Sequence, residues 1–192
     1  PRVNAHVDET SEIHRRLAQP GIPIELTASF FYYFRNNPYA RLIQEAKYND
    51  RPNINAFLGR MFATELSRAG FFDGIEALQP VPLHWWKKFR RGYNQAEIIC
   101  RGISEISQIP IADNLKAARH STQTRKNALQ RQANVAGTMS IVRPEEISGK
   151  HILLVDDVIT TGATLLATAQ TILREAPGTR ISVLSLGLTK MA

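Results

Sequence analysis

The sequence predicts an α/β fold in which a mainly parallel sheet is flanked by helices. Short apolar runs rich in β-branched residues alternate along the chain with segments of helical periodicity. One run, residues 152–155, is apolar at every position and too short for a helix, as expected of a strand covered on both faces. A chain of 192 residues with 43% hydrophobic residues is long enough to form one such domain.

The other elements are predicted in chain order from composition and spacing. Residues 24–34 are aromatic and β-branched and predict a strand, for which we expect a hairpin partner. A helix is predicted to start at Asn37-Pro38, and another covers residues 54–66 and ends near Gly70. The later elements are a strand at 77–83, a helix at 93–107, short strands at 111–115 and 138–142, the strand at 152–155, a helix from Ala163 and a strand at 181–186.

The segment after the strand at 152–155 carries the most specific chemistry. Asp156 and Asp157 are predicted to lie at its carboxyl end, where parallel sheets bind ligands. The turn before the next helix is rich in hydroxyls and consists of Thr160, Thr161, Gly162, Ala163 and Thr164. Its backbone N–H groups and hydroxyls are donors that can bind an anion. Carboxylates repel phosphate and instead bind hydroxyls or a hydrated metal, so the pattern predicts a ribose 5-phosphate. The alternative is that the acids only cap the helix.

The net charge of +7 is concentrated in residues 85–134. That segment has ten basic and three acidic residues, whereas the rest of the chain has fourteen of each. A basic segment of this kind suits a polyanionic ligand, either a pyrophosphate group or a nucleic-acid backbone. The alternative is a solvated basic surface without a ligand.

Other patterns limit the class of protein. No apolar run approaches eighteen residues and no signal-peptide pattern is present, so we expect a soluble, cytoplasmic protein without membrane insertion. The one cysteine, Cys100, excludes an internal disulfide and a cysteine-cluster metal site. Cys100 falls on the apolar face of the helix predicted at 93–107, which favours a packing role.

Residues 152–164 resemble the phosphoribosyl pyrophosphate (PRPP) motif of type I phosphoribosyltransferases. Two further segments, residues 81–97 with Arg91-Gly-Tyr-Asn-Gln95 and residues 119–134, extend the resemblance to nearly the whole chain. Together they resemble the ComF family of competence-associated, phosphoribosyltransferase-like proteins. This resemblance implies a type I phosphoribosyltransferase-like parallel sheet flanked by helices, with a small N-terminal hood at residues 1–50 and the phosphoribosyltransferase-like domain at residues 51–192.

The resemblance also implies the roles of individual residues. Asp156 and Asp157 would bind the ribose hydroxyls and act in catalysis, and the turn at residues 160–164 would hold the 5-phosphate. The pyrophosphate would be bound by Leu83, His84, Lys87 and Lys88. A mobile loop over PRPP would include Arg119, Gln123, Arg125, Lys126, Arg131 and Asn134. Mg²⁺ is expected with PRPP, without a dedicated protein metal site, and zinc only if a four-cysteine module, present in many relatives, precedes this chain.

Three classes of function are compatible with these residues. The first is a phosphoribosyltransferase that transfers phosphoribosyl to a nitrogenous acceptor, releases pyrophosphate and serves DNA uptake or nucleoside metabolism. The second is a PRPP or nucleotide sensor without turnover, and the third is a competence protein that binds single-stranded DNA. The chain lacks the phosphate-binding motif Gly-x-x-x-x-Gly-Lys-[Ser/Thr], which excludes an ATP-driven motor of that type.

Overall fold

A computed structural model describes residues 11–34, 38, 41–43, 45, 52–83, 92–117 and 139–190. The helices and strands in these ranges are α1 (Glu12–Leu17), β1 (Thr27–Tyr33), α2 (Pro52–Arg68), β2 (Ala77–Pro80), α3 (Gln95–Ser107), β3 (Leu115–Ala117), β4 (Met139–Ile141), β5 (His151–Ile159), α4 (Ala163–Glu175) and β6 (Arg180–Thr189). A short 3₁₀ helix, Pro144–Glu146, precedes β5. The helix predicted from Asn37-Pro38 lies largely outside the described residues.

Four strands form one parallel sheet in the order β1-β6-β5-β2, which confirms the predicted α/β class. No hairpin partner of β1 occurs among the described residues, where β1 instead pairs in parallel with β6 through residues such as Thr27 with Val183. Its burial is nearly continuous, as in a strand covered on both faces. The division into a hood and a domain at residue 50 stays a prediction, although β1 places part of the first segment in the central sheet.

The sheet separates two hydrophobic layers. Side chains alternate across each strand, so Ile152 and Leu154 of β5 pack with α1 and α4. Leu153 and Val155 point to the other face and pack with α2 and α3. The central strand is therefore apolar on both sides, as its sequence predicted. None of the helices in the described ranges is long and apolar enough to cross a membrane.

Helices α2 and α3 approach each other closely because Gly102 of α3 lies at their contact. A Cβ atom at Gly102 would come within 2.2 Å of the Ala56 carbonyl oxygen. Cys100, also in α3, is fully buried, which confirms its packing role. Burial also raises the pKa of the Cys100 thiol, with a smaller contribution from Glu97, so the thiol stays protonated and unreactive.

A second, two-stranded ribbon lies beside the main sheet. Its strands β3 and β4 pair antiparallel, with Ala117 opposite Met139. The strand predicted at residues 138–142 is confirmed as β4, whereas the one at 111–115 is displaced. Ile111 makes only an isolated parallel bridge to Leu78 of β2. After Ile111 the chain turns away from β2 and enters the ribbon at Leu115.

Candidate functional site

Asp156 and Asp157 lie in β5, beyond the point where its neighbour β2 ends. The last pair that joins the two strands is Pro80 with Val155. On the other side, β6 stays paired with β5 as far as Ile159. The strand is therefore longer than the predicted 152–155, because pairing with β6 continues past the acids. Both acids are half-buried and lie at the carboxyl edge of the sheet.

Each carboxylate accepts a hydrogen bond from the backbone of the next residue. The Asp157 N–H donates to Asp156 Oδ1 at 2.8 Å, and the Val158 N–H donates to Asp157 Oδ1 at 2.6 Å. These bonds fix the orientation of both side chains against the strand. An ionised carboxylate has about four acceptor positions, so each acid can accept from several donors at once.

The turn between β5 and α4 depends on glycine at position 162. Gly162 has a φ of +79°, in the left-handed region that favours glycine. It is also buried, and a Cβ atom there would lie 2.6 Å from Leu17 Cδ2 of α1. Glycine is therefore favoured at this position both by the backbone conformation and by the close contact with α1.

The turn and Asp156 border one hollow that is open to solvent, with about 230 Å³ of total empty space. Its lining is Asp156, Val158, Ile159 and residues 160–165. Its hydroxyl-rich lining suits a phosphate joined to a sugar. The structure thus places six of the seven residues predicted to contact ribose 5-phosphate around this hollow, and the seventh, Asp157, directly follows Asp156 in β5.

The start of α4 gives this hollow a positive electrostatic end. The first turn of α4 contains no acidic residue, and Gly162 supplies no capping side chain. The Ala163 N–H donates to Thr161 Oγ1 at 3.3 Å, so the threonine hydroxyl is drawn to the helix start. Thr160, Thr161 and Thr164 are exposed. Backbone N–H groups, the helix dipole and hydroxyls together form a surface suited to an anion.

The predicted pyrophosphate segment starts at the same edge of the sheet. The Val81 N–H donates to the Val155 carbonyl at 2.9 Å, immediately before Asp156. Leu83 follows two residues later and is partly exposed. His84, Lys87 and Lys88 lie outside the described residues.

The predicted mobile loop lies outside the described residues as well. The described residues nearest to it along the chain are Ala117 and Met139, which pair in the β3–β4 ribbon. The ribbon contacts α4, since Thr168 Oγ1 lies 3.2 Å from Met139 Sδ. Thr168 is one helical turn after Thr164, so this end of the ribbon lies close to the hollow.

A residue that the sequence analysis missed, Arg16 of α1, supports the turn without lining the hollow. Its Nη1 donates to the Thr160 carbonyl and its Nη2 to the Thr189 carbonyl, both at 2.6 Å. The spacing of Glu12 and Arg16, four residues apart, was the available signal, and these two side chains form an ion pair at 2.6 Å. Nothing local to that pair indicates its contact with a turn 144 residues away.

Another polar cluster lies at the opposite, amino edge of the sheet. The His151 ring is 2.8 Å from Ser182 Oγ and 3.5 Å from Glu25 Oε2. Burial lowers the pKa of His151, and the nearby Glu25 carboxylate opposes that effect. Since its side chain is 4% exposed, His151 belongs to the packing of this edge and does not reach the hollow.

Metal binding at the hollow would depend on the ligand. No group of three or more His, Cys, Asp or Glu side chains arranged to hold a metal occurs among the described residues. Asp156 and Asp157 are suited to Mg²⁺, which binds through one or two carboxylates together with phosphate oxygens and water. The residues present therefore fit Mg²⁺ that arrives with a phosphorylated substrate.

The fold and the site define a phosphoribosyltransferase-like protein. Residues 90–186 match the family model described as phosphoribosyl transferase domain, which is just over half of the chain. The chain therefore belongs to that family, and the relatives described next place it with the ComF proteins, as the motifs indicated.

Two curated relatives carry names connected with DNA. Competence protein F of Haemophilus influenzae is 35% identical over 134 residues, which are 67% of this chain and 58% of that protein. DNA utilization protein YhgH of Shigella flexneri is 29% identical over 147 residues, which are 74% of this chain and 64% of that protein. The chain thus spans about three fifths of the length of these relatives.

One solved structure that resembles the chain is glutamine phosphoribosylpyrophosphate (PRPP) amidotransferase from B. subtilis, complexed with ADP and GMP. It superposes with a TM-score of 0.46 at 20% identity, covering 67% of this chain and 25% of that chain.

Proposed function

We propose that this protein binds PRPP and transfers its phosphoribosyl group to a nitrogenous acceptor, with release of pyrophosphate, in the service of DNA uptake. The observation that carries the proposal is one hollow lined both by Asp156 of the acidic pair and by the start of α4, where Gly162 supplies no capping side chain. A ribose 5-phosphate has hydroxyls for the first and an anion for the second. If the acidic pair only capped α4, the hydroxyl-lined hollow between the acids and the helix start would have no role.

The 5-phosphate would bind at the turn before α4. The exposed hydroxyls of Thr160, Thr161 and Thr164 and the backbone N–H groups at the helix start are its donors. The phosphate charge is stabilised there by the helix dipole. Gly162 keeps the backbone close enough for this contact, because no Cβ atom separates it from α1.

The ribose would lie beside the acids, with its hydroxyls donating to Asp156 and Asp157. As pyrophosphate leaves C1 of the sugar, positive charge develops on the ring, and nearby carboxylates stabilise such a centre, as they do in glycoside hydrolysis. Mg²⁺ bound with PRPP would supply positive charge to the leaving group. Leu83, His84, Lys87 and Lys88 would hold the pyrophosphate, and the segment with Arg119, Gln123, Arg125, Lys126, Arg131 and Asn134 would cover it, as the resemblance implies.

The binding step is tested by calorimetry with PRPP and Mg²⁺ on Asp156→Asn, Asp157→Asn and the double variant. Each hydrogen bond to a charged group contributes about 1.5–3 kcal/mol, so each single change is expected to weaken PRPP roughly tenfold to a hundredfold. Asp73→Asn is the matched control, because Asp73 is exposed in the turn after α2 at the amino edge. PRPP affinity that is equal in the wild type and the double variant would refute the proposal.

The transfer step is tested separately by pyrophosphate release from PRPP with a panel of purine and pyrimidine bases. Release that depends on one base and is lost in the double asparagine variant is the expected result. PRPP binding without release for any base would favour the sensor over the enzyme. Binding and turnover are therefore distinguished by two independent measurements.

Single-stranded DNA binding is a second candidate, and the charge of +7 in residues 85–134 favours it. The names of the two relatives, which mention competence and DNA utilization, are consistent with it. Binding of an oligonucleotide should weaken steeply with salt, and the Lys87→Gln, Lys88→Gln double variant should reduce the salt slope by about two. Lys150→Gln, a change at an exposed lysine elsewhere, is the control. A salt slope that both variants leave unchanged would argue against a DNA site in this segment.

A further inference from the structure

The Arg16 side chain connects the ends of two neighbouring strands. Its guanidinium is only 4% exposed. Nη1 reaches the Thr160 carbonyl at 2.6 Å and Thr189 Oγ1 at 3.2 Å, while Nη2 reaches the Thr189 carbonyl at 2.6 Å. Thr160 starts the turn after β5, and Thr189 is the last residue of β6. One buried side chain therefore holds the start of the phosphate turn against the adjacent strand.

The helix that carries Arg16 is itself firmly placed. Ile13 and Leu17 are buried in the core beneath it. Ser11 caps the helix by accepting from the His14 N–H at 3.1 Å, and its hydroxyl lies 3.1 Å from Thr27 Oγ1 of β1. A group fixed to this helix has a defined position relative to the sheet, and so do the atoms that it binds.

The hydrogen bond to Thr160 also orients the next backbone donor. In a trans peptide the carbonyl and the following N–H point in opposite directions. When Arg16 draws the Thr160 carbonyl toward α1, the Thr161 N–H is turned away from α1. Thr160 and Thr161 both line the hollow and Arg16 does not, which is consistent with a ligand on the side away from Arg16.

The charge of Arg16 is paired with a carboxylate within the protein. Glu12 Oε1 accepts from Nη2 at 2.6 Å, so the buried cation is paired with a carboxylate of its own helix. A paired guanidinium of this kind acts on a ligand mainly through the groups it positions. Leu17, the next residue, packs against Gly162 in the same turn and supports it at a second point.

We propose that Arg16 is a positioning residue of the phosphate turn, which presents the Thr161 N–H to the 5-phosphate by holding the Thr160 carbonyl. The proposal rests on the proposed function, because it requires that this turn bind a sugar phosphate. It adds a residue outside residues 152–164 and assigns it a role through a named backbone bond.

The test compares Arg16→Lys with Arg15→Lys by calorimetry with ribose 5-phosphate. Lysine keeps the charge, but a single ammonium does not reproduce the planar fork that bonds two carbonyls and a carboxylate. Arg15 is the matched control, because it is exposed on the same helix. Arg16→Lys is expected to weaken ribose 5-phosphate about tenfold, the effect of roughly one lost hydrogen bond to a charged group, and Arg15→Lys to change it less than twofold.

Amide spectra distinguish positioning from general stabilisation. On addition of ribose 5-phosphate to the wild type, the Thr161 amide proton is expected to move downfield more than the other amides of residues 160–165. In Arg16→Lys that response should shrink, whereas a merely structural change would lower the melting temperature and leave the response of the folded protein intact. The absence of the Thr161 response in the wild type would overturn the proposal even if Arg16→Lys fails to fold.

The outcomes separate this inference from the proposed function. If the wild type does not bind ribose 5-phosphate or PRPP, the proposed function fails and the role of Arg16 fails with it. If the wild type binds and Arg16→Lys binds equally well, or the Thr161 amide does not respond, only the role of Arg16 is overturned.

Discussion

Helices α3 and α4 are both 13 residues long and both follow strands of the parallel sheet, yet they begin in opposite ways. At α3, Asn94 Oδ1 accepts from the Ala96 N–H at 3.1 Å, and Glu97 places a negative charge in the first turn. At α4, Gly162 supplies no capping side chain, and the first turn has no acid. The protein satisfies one helix start by itself and leaves the other suited to an external anion.

This difference indicates that the start of α3 has a structural role and that the start of α4 is suited to a ligand. Asn94 also donates through Nδ2 to the Val81 carbonyl at 3.0 Å, so the α3 cap holds the end of β2 as well. Leu17 and Arg16 of α1 contact the turn that leads into α4, and the same turn lines the hollow. Support from another element is what lets a helix start remain without its own cap.

The largest effect is expected from Gly162→Ala. The new Cβ would meet Leu17 Cδ2 at 2.6 Å, and alanine is strained at a φ of +79°. We expect the free energy of unfolding to fall by about 1–3 kcal/mol and PRPP affinity to fall about a hundredfold, or ~2.7 kcal/mol. Calorimetry and denaturant unfolding measure the two quantities.

Gly74→Ala is the matched control for that change. Gly74 has nearly the same φ, +78°, but nothing lies within 4 Å of its added Cβ. It should show the stability cost of backbone strain without a loss of PRPP affinity. Equal affinity loss in both variants would mean that the close contact with α1 does not matter.

The next largest effect is expected from a substitution that makes the start of α4 resemble that of α3. Thr164→Glu places an acid in the first turn of α4, at an exposed position beside the hollow. The helix dipole should raise the free energy of unfolding by about 0.3–1 kcal/mol, while repulsion should weaken PRPP at least about tenfold. Thr164→Gln, of similar size without the charge, is the control. If Thr164→Glu binds PRPP as tightly as Thr164→Gln, the phosphate does not lie at this helix start.

The converse change, Asn94→Ala, removes the cap of α3. Loss of a helix cap typically lowers the free energy of unfolding by about 1 kcal/mol, and the Val81 carbonyl also loses its partner. Asn94→Ala should lower PRPP affinity less than Thr164→Glu does, because the cap of α3 bonds only within the protein. A larger loss of affinity than of stability would mean that both helix starts contact the ligand.

The smallest effect on binding is expected at the amino edge, where His151 is buried beside Ser182. Burial lowers the pKa of His151 in the folded protein. As the pH falls below about 6.5, the unfolded chain gains a proton that the folded protein does not, so stability decreases. His151→Gln should flatten this part of the stability profile and leave PRPP affinity unchanged at neutral pH. An unaltered profile would show that another group causes the slope.

Local patterns predicted the parts of the fold and site that local chemistry determines. The apolar strand, Asp156, Asp157 and the turn with Gly162 are contiguous, so strand, carboxylates and positive φ could all be recognised from one short segment. The parallel partner of β1 could not, because β6 begins more than 140 residues later and either pairing direction satisfies the same composition.

Long-range polar contacts were the other part that the sequence left open. Arg16 and Thr160 are 144 residues apart, and the contacts of His151 with Ser182 and Glu25 cross strands. A single arginine or histidine carries no pattern that identifies its partner. These contacts arise only when the sheet order brings the strand ends together, which explains why Arg16 was missed although the turn it supports was found.

The most direct test of the central claim is a crystal structure with PRPP and Mg²⁺. The account predicts the 5-phosphate within hydrogen-bonding distance of the backbone N–H groups and hydroxyls of residues 160–164, with the ribose hydroxyls on Asp156 and Asp157. Phosphate bound at another surface, or a hollow without PRPP at saturating concentration, would contradict it.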